Sequence, residues 1–218
     1  MIYYYLVSNL LFVCLLIQFT FKGESNIRFI IKLIACLHFV ALALFALSTK
    51  QFNQKEIFLC LGLVFSFFGD LALGLKYKYK QALKFGLLLF MGAQVMYIIS
   101  FGFNAYTFMI WIPLLLMMYF MGVRIRKNKH YNFKNMGLGV IVYACLLSLM
   151  MSTALAQWDL RLLSASFLCA LGAILFLGSD FLLLHLYFYD HKKTSLVILY
   201  LILYHVGQNC LALSLWVK

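Results

Sequence analysis

Read along the chain, hydrophobic positions gather into eight runs set apart by short polar breaks: residues 3–21, 29–47, 57–75, 82–101, 105–123, 136–156, 162–188 and 195–216. Each is close to the roughly 20 apolar residues that an α-helix needs to cross a hydrocarbon core of about 30 Å. Inside a bilayer only helices and closed barrels satisfy their own backbone, and a barrel would show weaker, alternating segments of about ten residues. The pattern therefore predicts an all-α polytopic membrane bundle of eight transmembrane helices. The break near Gly102 and Asn104, short and uncharged, is the least marked of the boundaries.

Composition agrees and narrows the class. With 66% hydrophobic and 11% charged residues in a chain of 218, nothing is left over for a separate soluble domain. One integral membrane domain over residues 1–218 is expected. Pro113 is the only proline, and no Gly/Ser-rich linker marks a hinge. The first run lacks a basic n-region and a small-residue cleavage site, so it is expected to be a retained helix. Cys14, Cys36, Cys60, Cys145, Cys169 and Cys210 all fall inside apolar runs with no C-x-x-C, which argues against a disulfide framework or a zinc ribbon.

The net charge of +12 raises nucleic acid as a partner, but the basic residues sit in short loops between apolar runs, which is a topology signal instead. The odd loops hold Lys22, Arg28 and Lys32; Lys76, Lys78, Lys80 and Lys84; Arg124, Arg126, Lys127, Lys129 and Lys134; Lys192 and Lys193. The even loops and tails hold only Lys50, Lys55, Arg161 and Lys218. Positive-inside places the odd loops in the cytoplasm and both termini outside, with a bacterial inner membrane as the expected location.

Two carboxylates interrupt the apolar runs. Asp70 ends the segment Phe65-Ser66-Phe67-Phe68-Gly69-Asp70, and Asp180 ends Leu177-Gly178-Ser179-Asp180. Ionisable groups at membrane depth are costly and are kept for function; the bland alternative is a structural polar contact. Asp70 lies six residues before Lys76, roughly 9 Å from the helix end, and Asp180 ten before Asp190, roughly 15 Å. Both are thus expected in the inner leaflet. They are 110 residues apart, and each is followed one helix later by a small residue and a glutamine, Ala93-Gln94 and Gly207-Gln208. Two explanations stay open: two parallel four-helix repeats about an axis along the membrane normal, which would bring the aspartates face to face, or chance recurrence.

Other polar residues offer material for a site. Gly62, Ser66, Asp70 and Gly74 form one stripe on the third helix, fit for close approach of a helix or a ligand chain. Tyr204, His205, Gln208 and Asn209 make the eighth helix the densest polar cluster, and Gln94 and Tyr97 can face the same cavity. Lys32, one turn into the second helix, either snorkels or offers its ammonium to a lipid phosphate. His185, five residues past Asp180 and off its face, fits a snorkelling or capping role, and Asp190 with His191, Lys192 and Lys193 a solvated loop. No His-x-x-x-His, H-E-x-x-H, G-x-S-x-G or dinucleotide fingerprint occurs, so neither a metal nor a cofactor is expected.

The order and spacing of these segments resemble the YhhN family of bacterial and animal membrane proteins, whose characterised animal members are lysoplasmalogenases. Lys32 opens the second helix as the family's lysine does. Leu63 to Asp70 looks like its F-S-x-x-G-D segment, and Phe85 through Phe90, Gln94 and Tyr97 is similar to its fourth helix. Tyr143 through Met150 or Met151 is similar to the sixth, and Leu175 to Asp180 followed by Tyr204 through Gln208 resembles the closing S-D and Y-x-x-x-Q pair. Leu33 stands where the family usually has a proline, and Gln94 where it commonly has a histidine.

The resemblance implies hydrolysis of the vinyl ether of a lysoplasmalogen, giving a fatty aldehyde and a glycerophospho-alcohol. On that reading Asp70 and Asp180 are the catalytic acid pair, with either one the acid. Tyr204 and Gln208 orient water or substrate, Lys32 meets the phosphate, and Ser66, Gln94 and Tyr97 complete the substrate site. The small stripe on the third helix admits the alkyl chain. The implied partners are a lysophospholipid substrate and the surrounding lipids. The competing class is a small proton-coupled or lipid transporter using the same aspartates as proton sites.

Overall fold

A computed structural model describes residues 2–22, 25–49, 51, 53–76, 78–79, 81–189 and 194–217. Among these residues the chain forms eight α-helices: α1 Ile2–Lys22, α2 Ser25–Thr49, α3 Gln54–Gly74, α4 Ala82–Phe101, α5 Ala105–Lys127, α6 Gly137–Ala156, α7 Ala165–Phe188 and α8 Thr194–Ser214. All eight are long and apolar enough to cross a membrane. Lys50, Lys80, Asp190, His191, Lys192, Lys193 and Lys218, which enter the charge and loop readings above, lie outside the described residues.

Polar residues in the breaks set the helix ends. Asn53 caps α3 through a reciprocal box with Glu56: Glu56 N donates to Asn53 Oδ1 (3.0 Å) and Asn53 N to Glu56 Oε2 (2.9 Å). At the least marked boundary, Gly102 stops α4 in the left-handed region (φ +74°) and Asn104 caps α5 through Tyr106 N and Thr107 N. Asn104 Nδ2 also donates to Ala156 O at 2.6 Å, which ties this turn to the end of α6.

Four ends differ from the hydropathy reading by three or more residues, among them the start of α3, where Gln54 to Glu56 follow the Asn53 cap. α2 begins at Ser25, so Lys32 is about two turns into the helix. The polar Asn26 and Arg28 continue it into the interface. α5 runs on through Arg124, Arg126 and Lys127, cations that suit a helix C-terminus. α7 starts only at Ala165, capped by Ser164, because Asp159 gathers Arg161, Ser164 and Ser166 into a polar turn that holds Leu162 out of the helix.

α3 packs along α4 and α7 along α8 in the two most extensive helix pairs, with α2 and α6 joining the pairs. Close approach is possible because glycines face the partner. A Cβ on Gly62 would lie 2.3 Å from the Tyr97 ring, and one on Gly172 would lie 2.9 Å from Gly207 O. The stripe on α3 is thus covered by side chains, Tyr97 over Gly62, Phe90 over Gly69 and Phe29 over Gly74, and is not open to an alkyl chain. α5 is the outlier: it shares an extended interface with α6 alone, and Thr107 is its one buried residue. The loop after α5 is fastened to the end of α7 by the Tyr131–Tyr189 bridge and by Asn132 N donating to Phe188 O at 2.9 Å.

Candidate functional site

Three helices converge on Asp70, which is 2% exposed. The Lys32 ammonium from α2 sits 2.6 Å from its Oδ1, while Oδ2 accepts from the Tyr204 hydroxyl of α8 and from Cys36 Sγ at 3.2 Å. Lys32 and Cys36 are one turn apart, so a single face of α2 supplies both. A carboxylate at this depth is tolerable only when paired and hydrogen-bonded, and Asp70 has both kinds of partner. The Lys32 ammonium, expected at a lipid phosphate, is engaged here by Asp70.

Asp180 is held differently. Its Oδ2 accepts from the Tyr143 hydroxyl of α6, and Gln94 of α4 stands beside that tyrosine. Asp180 and Tyr143 line a cavity of ≈ 1090 Å³ enclosed by α3, α4, α5, α6 and α7. Asp70, Lys32 and Tyr204 do not line it. Phe90 lines the cavity and meets Tyr204 edge-on, with ring centres 6.3 Å apart; Phe176 packs tilted against both, 6.2 Å from Phe90 and 5.7 Å from Tyr204. One aromatic layer thus separates the cavity from the hydroxyl that holds Asp70. Asp70 lies four residues before the end of α3 and Asp180 eight before the end of α7, about 6 and 12 Å at helical rise. Both aspartates therefore sit in the same half of the bundle, at the odd-loop end.

The remaining expected residues form a second polar chain. Ser66 Oγ lies 3.2 Å from the Tyr97 hydroxyl, which donates to Gln208 Oε1 at 3.1 Å, and all three residues are fully buried. The structure brings Lys32, Asp70 and Tyr204 together, and Ser66, Tyr97 and Gln208 together, with Gln94 on the Asp180 side. Both amide atoms of Gln94, both ring nitrogens of His205 and Gln208 Nε2 are buried and make no hydrogen bond among the described residues. Buried polar atoms of this kind are the usual seats of ordered water. His185 bonds the Tyr131 hydroxyl (2.6 Å) at the odd-loop end, and His38 bonds Ile34 O and Ser8. Among the described residues no group of three His, Cys, Asp or Glu is placed to hold a metal ion.

Cys36 and Tyr143 lie outside the site expected from sequence. Each had a signal available. Cys36 follows Lys32 by one helical turn, and Tyr143 follows Lys32 by 111 residues, nearly the 110 that separate the aspartates. Chemically, the arrangement places one carboxylate against a fixed cation and the other on the wall of an apolar cavity. It therefore presents a carboxyl to the cavity and an ion pair on the far side of one aromatic layer.

No curated protein and no solved structure matches the chain. A family match exists and spans residues 27–215, which takes in Asp70, Asp180, Lys32, Tyr143, Tyr204 and every helix except α1 and the first two residues of α2. By that match the chain, whose described residues form eight helices and bury Asp70 and Asp180, belongs to the YhhN family.

Proposed function

We propose that the protein is a membrane-embedded hydrolase that cleaves the vinyl ether of a lysoplasmalogen or a related lyso-ether lipid. The observation that carries the reading is Asp180 on the wall of a large apolar cavity in the same half of the bundle as the Asp70–Lys32 ion pair. Asp180 transfers its proton to the outer alkenyl carbon, which leaves an oxocarbenium ion between that carbon's neighbour and the ether oxygen. Water held by Gln94 and Tyr143 adds to the cation and returns a proton to Asp180. The hemiacetal then breaks its carbon–oxygen bond to give the aldehyde and the glycerol hydroxyl. Asp70, paired with Lys32 and hydrogen-bonded by Tyr204 and Cys36, is the stabiliser that faces the cation across the Phe90–Tyr204 layer. This divides acid and stabiliser between two carboxylates, as in glycosidases. Ser66, Tyr97 and Gln208 keep the Tyr204 helix in register with α3 and α4.

The test is aldehyde release from a 1-alkenyl lysophospholipid by purified protein in nanodiscs. Asp180→Asn is expected to lower the rate by about 10²–10⁴, the usual worth of a positioned general acid, while leaving the folded state intact. Full activity in both Asp180→Asn and Asp70→Asn would sink the reading. Uptake of intact lipid into liposomes without aldehyde would favour the transporter class instead.

We also propose that α1–α4 and α5–α8 are parallel repeats within one integral membrane unit. Asp70 and Asp180, and likewise Gly62 and Gly172, are 110 residues apart. Phe90 and Tyr204, Gln94 and Gln208, and Tyr97 and Leu211 are all 114 apart. The packing supports the pairing, since Gly62 meets Tyr97 where Gly172 meets Leu211.

A further inference from the structure

The cavity beneath α5 has a polarity of its own. It runs along α5 from Arg126, in the last turn, to Leu115 near mid-helix, about 16 Å at helical rise. Phe133 and Phe188 line its Arg126 end, and Met117, Met118 and Met121 line its flank with adaptable side chains. Of the described residues on its wall, Arg126 and Asp180 alone are of charged type. Arg126 is exposed and forms no ion pair or hydrogen bond among the described residues. Asp180 lies eight residues before Phe188, so about 12 Å of helix separates its backbone from the end of the cavity that Phe188 lines.

We infer that this cavity seats a single-chain lysophospholipid, with Arg126 binding the phosphate, Asp180 and Tyr143 at the ether end of the chain, and the hydrocarbon lying along α5 toward the bilayer centre. The inference rests on the hydrolase reading for the ether linkage, but its binding geometry stands on the cavity itself. A glycerol bridge between phosphate and ether, added to the reach of an arginine side chain, spans the depth between the two groups. A fatty acid on Arg126 would instead leave the Asp180 carboxyl against bare methylenes, with only the Tyr143 hydroxyl to satisfy it. The volume, ≈ 1090 Å³, is at the upper end of small-molecule sites, about 300–1,000 Å³. Because α5 packs on α6 alone, the lipid can reach the cavity sideways from the leaflet, past the α5 flank. Arg126 thus assigns the headgroup contact to α5, while Lys32 stays with Asp70.

The test uses the full-length protein in nanodiscs and a non-cleavable 1-alkyl lysophospholipid as the probe. 1-Alkylglycerol, a diacyl phospholipid and inorganic phosphate serve as comparison ligands. Arg126→Gln is expected to weaken binding of the lysophospholipid roughly ten- to hundred-fold, as for loss of a charge-assisted contact, and to leave 1-alkylglycerol binding unchanged. Lys127→Gln, one residue away and off the cavity wall, is expected to bind as wild type. Gly122→Leu gives a second handle. Gly122 lines the cavity and a Cβ there meets nothing within 4 Å, so a side chain can start there without backbone strain and occupy space otherwise open to the chain. It is expected to weaken both single-chain ligands.

Equal binding of the lysophospholipid by Arg126→Gln and wild type would overturn the assignment, as would no binding by wild type. Displacement by the diacyl lipid or by inorganic phosphate at equal concentration would overturn the single-chain ligand in favour of a general phosphate contact. If the binding pattern holds but the 1-alkenyl counterpart yields no aldehyde, the headgroup site stands and the hydrolase reading fails.

Discussion

Lys32 stands about two turns inside α2 with its side chain 13% exposed, and its ammonium meets a carboxylate that is 3% exposed. Pairs of this kind are not strong simply because they are buried, since both charges lose their hydration. What makes the pair hard to dispense with is that removing one partner strands the other. Lys32→Met leaves Asp70 without its cation among apolar rings, with only Tyr204 and Cys36 to satisfy it. The expected cost is about 3–5 kcal/mol, read as a drop of roughly 10 °C in the melting temperature of the detergent-solubilised protein. The double variant Lys32→Met/Asp70→Asn is expected to recover much of that loss, while Asp70→Asn alone falls between. A Lys32→Met protein as stable as wild type would mean that Asp70 is satisfied by its other partners.

At the scale of elements, the turn between α6 and α7 shows what hydropathy leaves out. Leu160 and Leu163 both take left-handed backbone (φ 62° and 61°), uncommon for non-glycine residues, and Leu160, Leu162 and Leu163 are exposed. Asp159 holds this shape by accepting from Ser166 Oγ (2.8 Å), Arg161 Nε (2.5 Å) and Ser164 Oγ (3.0 Å). The Ser166 hydroxyl first, and then Arg161, keep the Asp159 carboxyl well below the usual carboxylate range. A depressed folded value means that the turn's stabilisation is complete above the unfolded pKa of about 4 and is lost as pH falls through the lower folded value. Trp158, packed against Phe167 with ring centres 5.7 Å apart, reports it. Its emission, taken as the difference from a Trp158→Phe protein, is expected to hold steady down to about pH 4 and shift only below that. Asp159→Asn is expected to show the shifted emission throughout. A shift centred at the ordinary carboxylate pKa would show that the hydrogen bonds do not bias Asp159.

The same turn marks the limit of what was legible. Eight helices were readable because bilayer thickness imposes their length, and the Asn53-x-x-Glu56 box and the Gly102–Asn104 break carry local chemistry that any reader of the chain can find. The start of α7 was not, because leucines score as membrane residues whether they lie in a helix or fold out over a polar knot. In the site, Asp70 and Asp180 announced themselves as charges in apolar runs. Tyr143 did not, since a tyrosine in an apolar helix is ordinary until the carboxylate it holds is known. The α3 glycines were legible as a place of close approach, but whether a ring or a lipid chain fills them is decided by α4, through Phe90 and Tyr97.

For the whole molecule, the cavity, Arg126 and both aspartates lie at one end of the bundle, the end that carries the basic loops. Orientation therefore decides which leaflet supplies the lipid. The Lys and Arg bias toward the odd loops is large enough that positive-inside predicts cytoplasmic odd loops and outer termini. Single cysteines placed in a cysteine-free background test it: Lys129→Cys, in the loop after α5, and Lys55→Cys, at the start of α3 on the opposite end. In intact cells an impermeant maleimide is expected to label Lys55→Cys and to reach Lys129→Cys only after the membrane is permeabilised. The reverse pattern would put Arg126 and Asp180 in the outer leaflet, and the lysolipid would then come from the outside pool. Equal labelling at both sites would mean two orientations in one membrane, and each leaflet would then have its own copy of the cavity.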